Sequence, residues 1–298
     1  MRERRREAEG LYEYPEHLRG QLDALPRAPG VYTFHGNPDD KLPLYIGKSV
    51  DVRGRVMDHF RTVMEARLLR QAKRVTAIRT AGDIGAQLLE AKLIKTQKPL
   101  YNRKLRTTVQ QFSLRLHRGA VSVVHSKELD PTQGVSVSGL YSSPQSALKG
   151  LRRIADDHRL CYGLLGIEKL AKGRRCFRSM LGQCGGACWG QESLADHEDR
   201  LRAALNDREV ERWPFDGAVA FEERGADLRQ YHVIAHWQYL GSAETLTAAK
   251  RVRGEVGAFD RDAYRILRAP LLGGAHKVVT LSAPVKARSS APRGTPSP

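Results

Sequence analysis

Two tyrosines, a lysine, an arginine and a glutamate are the residues of this sequence whose types could together hydrolyse a phosphodiester. They are Tyr32, Tyr45, Lys48, Arg55 and Glu90. Such hydrolysis needs a base that activates water, cations beside the phosphorane that develops in the transition state, and stabilisation of the leaving oxyanion. The side chains of this group can supply all three.

The base is the least obvious of these requirements. Tyrosine is a poor base at its ordinary pKa of about 10, but neighbouring cationic side chains lower that value because they stabilise the phenolate. We therefore expect Tyr32 or Tyr45, helped by Lys48, to accept the proton of the attacking water. The sequence does not decide between the two tyrosines.

Two arginines on one predicted helix compete for the role of phosphate ligand. Arg55 is preferred because it lies on the same helix face as His59, four residues later. Arg53 points elsewhere on that helix and is expected to be a solvated surface charge. A solvated charge is also the alternative interpretation of Arg55.

Glu90 lies on the largely apolar side of a later predicted helix, near Leu93 and Ile94, whereas Lys92 and Lys95 point away from it. A carboxylate among apolar residues is costly unless it has a partner. Either it pairs with a lysine or reaches solvent, which spacing alone favours, or it holds a metal ion.

The two tyrosines are predicted to lie on neighbouring strands. Short runs of β-branched and aromatic residues at 29–34 and 44–48 are separated by a polar turn rich in Gly, Asn, Pro and Asp. This pattern predicts a β-hairpin. Tyr32 and Tyr45 would then lie side by side.

The helix that carries the arginines is predicted over 51–60, where apolar residues recur at helical spacing. Ser49 or Asp51 can cap its start. Gly54 inside it costs about 1 kcal/mol relative to alanine. A strand at 74–80 and a helix at 83–97, which ends before Pro99, complete a β-β-α-β-α order.

Composition bounds the class of protein. The 298 residues are 41% hydrophobic and carry a formal net charge of +17, which favours a polyanionic partner such as nucleic acid over other partners. The charged N-terminus has no apolar segment behind it, and no run approaches the roughly 20 apolar residues of a membrane helix. We therefore expect a cytoplasmic protein without a membrane partner.

All four cysteines fall close together in the chain. Cys161, Cys176, Cys184 and Cys188 have the spacing C-x14-C-x7-C-x3-C. Disulfides are unfavourable in a reducing cytosol, so the thiols predict a metal site rather than core packing. The spacing lacks the C-x2-C knuckle of many structural zinc sites, and the neighbouring glycines do not separate iron from zinc.

The rest of the chain is predicted to alternate strands and helices. The strands are expected within 111–138 and at 217–222, 229–240 and 277–281, and the helices at 16–25, 143–159, 192–205 and 260–268.

The fold class is therefore α/β (α+β), in five segments. They are a basic arm (1–25), the α/β module (26–106), connecting strands and a helix with the cysteine cluster (107–190), a mixed α/β C-terminal region (191–282) and a tail (283–298). The tail lacks aromatic residues and is expected to be disordered.

Five motifs in the first module resemble the GIY-YIG nuclease domain, in the form found in the N-terminal half of the UvrC family of excision-repair nucleases. They are Gly30-Val31-Tyr32, Tyr45-Ile46-Gly47-Lys48, Arg55 on the next helix, Glu90 on a later helix, and Pro99-Leu100-Tyr101-Asn102. One motif alone would be weak, but five in this order are specific. The resemblance implies a small antiparallel sheet flanked by helices.

The resemblance also implies roles for individual residues. Glu90 would hold Mg²⁺ or Mn²⁺ against the phosphate, and Asn102 would support the site by hydrogen bonding unless it is only a turn residue. At His59 UvrC-type sequences often carry tyrosine, so this histidine is a departure. It could act as a base or phosphate ligand, or be only a helix-face residue, and is counted as a supporting residue.

The cysteines and the residues around them are similar to the cysteine-rich segment of the UvrC family, which implies a [4Fe-4S] cluster in preference to Zn²⁺. The length of the chain resembles that of short family members, because longer ones continue into UvrB-binding, second-nuclease and helix-hairpin-helix segments. This implies one incision 3′ to a lesion in damaged double-stranded DNA on which UvrA has loaded UvrB.

Two other functions are compatible with the sequence. One is a GIY-YIG endonuclease that acts alone on specific sites or branched DNA. The other is a non-catalytic DNA-binding module with a structural metal. The joint presence of Tyr32, Tyr45, Lys48, Arg55, Glu90 and Asn102 argues against the second.

Overall fold

The structure, a computed structural model, describes residues 12–102, 111–117, 119–125, 136–170, 175–254, 257 and 259–281. The predicted disordered tail (283–298) and the first part of the basic arm lie outside these residues. Two compact units are formed, one by residues 1–108 with 215–298 and the other by 109–214. Across the described residues no helix is both long and apolar enough to cross a bilayer.

A three-stranded antiparallel sheet forms the centre of the first unit. Its strands are β1 (Gly30–His35), β2 (Tyr45–Ser49) and β3 (Arg74–Arg79), in the order β2-β1-β3. The predicted hairpin is confirmed, with Tyr32 opposite Gly47. A Cβ atom at Gly47 would lie 2.6 Å from Cζ of Tyr32, so this packing requires glycine.

Helices pack on both faces of this sheet. They are α1 (Glu16–Arg19), α2 (Val52–Phe60), α3 (Ala66–Gln71) and α4 (Asp83–Gln97). Apolar residues of α2 and α3 share a core with Tyr32, whereas α4 packs on Val31 and Ile46, which face the other way. The predicted helix over 16–25 is wrong in extent, because α1 stops before Gly20 and only a 3₁₀ turn (Leu22–Ala24) follows.

The N-terminal cap of α2 explains why Gly54, a poor helix former, lies within this helix. The carboxylate of Asp51 accepts a hydrogen bond from the Gly54 amide at 3.0 Å, which is the predicted cap. A Cβ atom at Gly54 would lie 2.7 Å from that carboxylate. The glycine therefore gives up helix propensity for room at the cap.

The second unit has its own sheet and core. Its strands are β4 (Phe112–His117), β5 (Ala120–His125) and β6 (Ser138–Tyr141), in the order β5-β4-β6, and its helices are α5 (Pro144–Asp157), α6 (Phe177–Met180) and α7 (Leu194–Asn206). Ser143 and Ser146 form a capping box at the start of α5. Leu114, Leu151 and Leu201 from sheet and helices pack together in the core.

The C-terminal part of the first unit is a four-stranded antiparallel sheet with two helices. Its elements are β7 (Val219–Arg224), β8 (Arg229–Ala235), β9 (Gln238–Ala243), α8 (Leu246–Ala249), α9 (Arg261–Leu272) and β10 (Val278–Thr280), and the sheet order is β10-β7-β8-β9. The single strand predicted over 229–240 is wrong. His236 and Trp237 have φ of 48° and 63° and turn the chain back between β8 and β9.

The residues after α4 cover the outer edge of β2. The amides of Leu100 and Tyr101 donate to the carbonyls of Pro43 and Leu44, at 3.0 and 2.8 Å. The side chain of Asn102 then accepts from the Ile46 amide at 2.9 Å and donates to the Ile46 carbonyl at 2.8 Å. Asn102 thus pairs with β2 as a further strand would.

We expect Asn102→Ala to lower the free energy of unfolding by about 2 kcal/mol, because it leaves a buried amide and carbonyl of Ile46 without partners. Urea denaturation of the full chain measures this. Asn37→Ala, at an exposed position of the same unit, is the matched control. Equal effects of the two substitutions would contradict the assigned role of the Asn102 amide.

Candidate active site

The two predicted tyrosines lie side by side on one face of the sheet. The ring centroids of Tyr32 and Tyr45 are 6.2 Å apart. Tyr32 is 1% exposed, whereas Tyr45 is half-buried. Tyr45 is therefore the tyrosine that is more accessible to solvent.

His59 lies behind Tyr32 and is itself 2% exposed. Its Nε2 atom is 2.6 Å from the Tyr32 hydroxyl, with which it shares a hydrogen bond, and its Nδ1 atom is hydrogen-bonded to the carboxylate of Glu65. The structure therefore brings His59 into the site. Glu65 was not predicted, because in sequence it is only an acidic residue just before a helix, where such residues are common.

Burial sets the protonation of the tyrosines. Burial raises the pKa of Tyr45, the charges of Glu90 and Glu65 add to the rise, and Arg55 and a hydrogen bond with Tyr32 lower it. Burial also raises the pKa of Tyr32, and Arg55 opposes the rise. The expectation that nearby cations lower the tyrosine pKa is wrong in its net direction, because desolvation outweighs the guanidinium.

The two arginines of α2 have different surroundings. Arg55 is exposed and lies within hydrogen-bond reach of Tyr32, so its guanidinium borders the site. Arg53 points elsewhere, as predicted, but it is not a solvated charge. Its Nε atom donates to the Leu25 carbonyl at 3.0 Å, and its guanidinium also donates to the Asp23 carbonyl. Arg53 therefore ties α2 to the residues before β1.

Glu90 reaches from α4 to the end of β2. The backbone amide of Lys48 donates to its carboxylate at 3.1 Å. Burial raises the pKa of Glu90 and the charge of Asp83 adds to this, while the bond from the Lys48 amide and the Lys48 charge oppose it. The alternative was that Glu90 pairs with a lysine or reaches solvent. Its hydrogen bond comes from the backbone amide of Lys48, and its side chain is half-buried.

Asp83 is a second carboxylate that sequence reasoning missed. Its carboxylate accepts a hydrogen bond from Nζ of Lys48 at 2.7 Å and another from the side-chain amide of Gln87, also at 2.7 Å. In sequence it is an ordinary first residue of a helix, and its link to Lys48 spans 35 positions. The predicted role of Lys48 beside the tyrosines thus changes, since its ammonium lies against Asp83.

These contacts place the predicted residues in one region. Tyr45 packs beside Tyr32, which is hydrogen-bonded to His59, and the charge of Glu90 acts on the pKa of Tyr45. Arg55 borders the tyrosines, and Asn102 holds the backbone of β2. A half-buried carboxylate and phenol with an exposed guanidinium at their border can bind a divalent cation and a phosphate together.

The cysteine centre lies in the second unit and is a separate site. Sγ of Cys176 is 3.7 Å from that of Cys161 and 3.8 Å from that of Cys184, and Cys188 completes the group. The first three are buried. The prediction that the four thiols meet at one place is confirmed, and their geometry can hold a metal.

The thiols do not ionise independently. Burial raises the pKa of Cys161 to about 12. Burial also acts to raise the pKa of Cys176, but the Ser179 amide and the neighbouring thiols outweigh it, so that this pKa is lowered. A bound metal cation would convert the remaining thiols into thiolates.

Comparison with protein families divides the chain into three matched regions. Residues 28–103 match the UvrC-like GIY-YIG domain, residues 109–207 match the middle domain of UvrC/Cho excinuclease, and residues 218–285 match the excinuclease Cho C-terminal domain.

Individual relatives agree with this division. Excinuclease cho of Escherichia coli strain K12 is 49% identical over 275 residues, which cover 92% of this chain and 93% of that protein. The protein of the same name from Salmonella typhi is 46% identical, covering 92% and 94%. A crystal structure of the GIY-YIG N-terminal endonuclease domain of UvrC from Thermotoga maritima, bound to magnesium, is 31% identical, covers 29% of this chain and 97% of that one, and has a TM-score of 0.27.

We expect Glu90→Gln to stabilise the protein at pH 7 in EDTA, because a carboxylate with a raised pKa destabilises the folded state once it is ionised. The gain should shrink as the pH falls through the raised pKa of Glu90 and should be lost below the ordinary pKa of 4.5, because the folded and unfolded states then both bind the proton. Thermal melts across this pH range test it. A loss of stability at pH 7 would contradict the account of Glu90.

Proposed function

The chain belongs to the UvrC/Cho excinuclease family and is a GIY-YIG endonuclease, and from this premise we propose the reaction that it performs. It hydrolyses one phosphodiester on the 3′ side of a lesion in damaged double-stranded DNA, in a complex on which UvrA has loaded UvrB. It acts in the cytoplasm. Membership of the family confirms the endonuclease prediction and removes the alternative of a non-catalytic module.

The observation that supports this function most directly is the meeting of three groups at β2. The Lys48 amide donates to Glu90, and the charge of Glu90 acts on the Tyr45 phenol. Two half-buried groups, a carboxylate that can bind a metal and a potential base, are therefore near enough for the charge of one to act on the pKa of the other. The net charge of +17 supports a DNA substrate.

Tyr45, in its phenolate form, is the residue that accepts the proton of the attacking water, because it is the more accessible tyrosine. The charge of Arg55 lowers the pKa of Tyr45, and a cation held by Glu90 would lower it further, so both favour this phenolate against the effect of burial. Tyr32 lies behind it, and its hydrogen bond with Tyr45 stabilises the phenolate, which becomes a neutral phenol when the proton arrives. His59 and Glu65 hold Tyr32 in place. As the water loses its proton, its oxygen bonds to phosphorus and the bond from phosphorus to the leaving oxygen breaks.

Glu90 holds Mg²⁺ or Mn²⁺. Both cations prefer oxygen ligands, and the Glu90 carboxylate is half-buried and has no cationic partner on α4. When bound, the cation stabilises negative charge on the phosphorane and the leaving oxygen. Arg55 binds the phosphate from the side of the tyrosines, and Lys48 supplies a second positive charge. Asn102 keeps β2 in register.

The four cysteines hold the [4Fe-4S] cluster implied by the family resemblance, in a structural role. A single zinc ion is the second candidate, because tetrahedral bonds of 2.3 Å would place the sulfurs about 3.8 Å apart, which matches the separations of 3.7 and 3.8 Å. A cluster, in which each thiolate binds a different iron, needs wider spacing. Gly182, Gly186 and Gly190 have positive φ, a conformation that glycine adopts readily and that lets the backbone turn closely around the thiols.

The five-segment division of the chain is also part of the proposal. The matched regions at 28–103 and 218–285 support the nuclease module and the C-terminal region. The middle match runs to residue 207, which supports extending the cysteine-containing segment through α7.

Strand-specific incision mapping tests the reaction. We expect a duplex with one bulky lesion and Mg²⁺ to receive a single cut 3′ to the lesion only when UvrA, UvrB and ATP are present. Glu90→Gln should reduce the rate by about a thousandfold and leave DNA affinity nearly intact, because it removes the metal ligand but no cation.

Two outcomes would overturn parts of this proposal. Cutting of undamaged or branched DNA without UvrB would support the endonuclease that acts alone. Equal loss of cutting and DNA binding in Glu90→Gln would contradict the metal-ligand role of Glu90.

Metal analysis of anaerobically purified protein tests the cysteine centre. We expect a brown protein with about four iron and four sulfide per chain. Cys176→Ser should lose both, because Cys176 touches two of the other thiols. Colourless protein with one zinc per chain would establish the second candidate.

A further inference from the structure

Helix α4, which carries Glu90, is held along its length by the C-terminal part of the same unit. Nζ of Lys92 donates to the Leu240 carbonyl at 2.6 Å, and Nζ of Lys95 donates to Asp260 at 2.5 Å. The carboxylate of Glu223 reaches the first turn of the helix. The C-terminal region therefore packs against α4 and holds it through these three side chains.

The contact of Glu223 is a helix cap supplied from a distant part of the chain. Its Oε1 atom accepts a hydrogen bond from the Ile84 amide at 3.0 Å, and its Oε2 atom accepts one from the Gly85 amide at 2.9 Å. The residue at the N-cap position, Gly82, has no side chain to do this. The first amides of a helix need such partners, and a negative charge there also suits the helix dipole.

A buried network fixes Glu223 in turn. Nε2 of His232 lies 2.9 Å from Oε2 of Glu223, and Nδ1 of His232 lies 2.7 Å from the Ser242 hydroxyl. Tyr239 shares a hydrogen bond of 2.5 Å with the same hydroxyl. His232 is 0% exposed and Glu223 is 8% exposed. Their hydrogen bond to each other therefore replaces the hydrogen bonds to water that each would make in the unfolded chain.

The approach is close enough to require glycine in α4. A Cβ atom at Gly85 would lie 2.6 Å from Cε1 of His232 and 3.0 Å from Oε2 of Glu223. Glycine within a helix costs about 1 kcal/mol relative to alanine. The start of α4 is thus shaped to receive this pair of side chains.

The capped turn leads directly to the active site. Asp83 lies in the same turn and accepts from Nζ of Lys48, and the Lys48 amide donates to Glu90, about two turns further along α4. A shift of the first turn of α4 would therefore move Lys48 and Glu90 together.

We propose that Glu223, held by His232 and Ser242, is a positioning residue of the nuclease site, which sets the place of Glu90 by capping α4 from the C-terminal region. The proposal rests on the function proposed above, in which Glu90 binds the divalent cation. It assigns to the C-terminal region a part in forming the metal site. The region is then required for normal cation affinity.

Glu223→Gln in the full chain is the sharpest test. The substitution keeps the shape of the side chain but replaces one oxygen by an NH₂ group, which would face an amide N–H of Ile84 or Gly85 and cannot accept from it. We expect the dissociation constant of Mn²⁺, measured by electron paramagnetic resonance titration, to rise about tenfold, as for outer-shell partners of metal ligands. The signal that Glu90→Gln abolishes identifies the site.

Two further variants sharpen the result. Glu222→Gln changes the neighbouring carboxylate, which pairs with Arg224 at the surface, and should leave Mn²⁺ affinity unchanged. Ser242→Ala removes the outer bond of His232 together with the bond to Tyr239, and leaves Glu223 itself unchanged. It should raise the Mn²⁺ dissociation constant about threefold, which keeps the test open if Glu223→Gln does not fold.

The incision assay provides the second readout. Glu223→Gln should need about tenfold more Mn²⁺ for half-maximal cutting and should recover most of its rate at saturating Mn²⁺. A lowered melting temperature with unchanged Mn²⁺ affinity in Glu223→Gln and Ser242→Ala would overturn the proposal, because the network would then be structural only. If the wild-type chain fails to cut, the proposed function fails, while the Mn²⁺ titration still decides the role of Glu223.

Discussion

Ionisable side chains that are buried on folding need hydrogen-bond partners in place of water. The structure of the first unit depends on the pairs that provide them. Tyr32 and His59 are almost wholly buried, Glu90 is half-buried, and each is hydrogen-bonded to a group from another element. The free-energy cost of burying such a side chain without a hydrogen-bond partner would exceed the free energy gained from packing it. The site is thus a set of polar pairs that hold strands and helices together, and the catalytic geometry follows from the pairs that stability requires.

The local part of this arrangement could be predicted from the sequence. The hairpin, the helix over 51–60 and the helix over 83–97 have clear periodic patterns, and the structure contains all three. The prediction that Tyr32 and Tyr45 are neighbours followed from the hairpin alone. Near the C-terminus, by contrast, the run 229–240 had an unbroken strand pattern, since nothing in residue type marks His236 and Trp237 as a turn.

Partners that no local pattern marks could not be predicted. Glu65, Asp83 and Glu223 are each an ordinary acidic residue by local pattern. Their importance comes from contacts that the fold creates, with His59, Lys48 and the start of α4 respectively. The tyrosine pKa was mispredicted for the same reason. Residue types showed the cations, but the degree of burial that outweighs them is a property of the folded unit.

The cap on α4 has a consequence for synthesis of the protein. Gly85 and Glu223 are separated by 138 positions, and the whole second unit lies between them in the chain. At a typical rate of translation, roughly ten seconds pass between the appearance of these two residues on the ribosome. The first turn of α4 is therefore made well before the carboxylate that caps it, and this cap cannot form until the C-terminal strands have been synthesised.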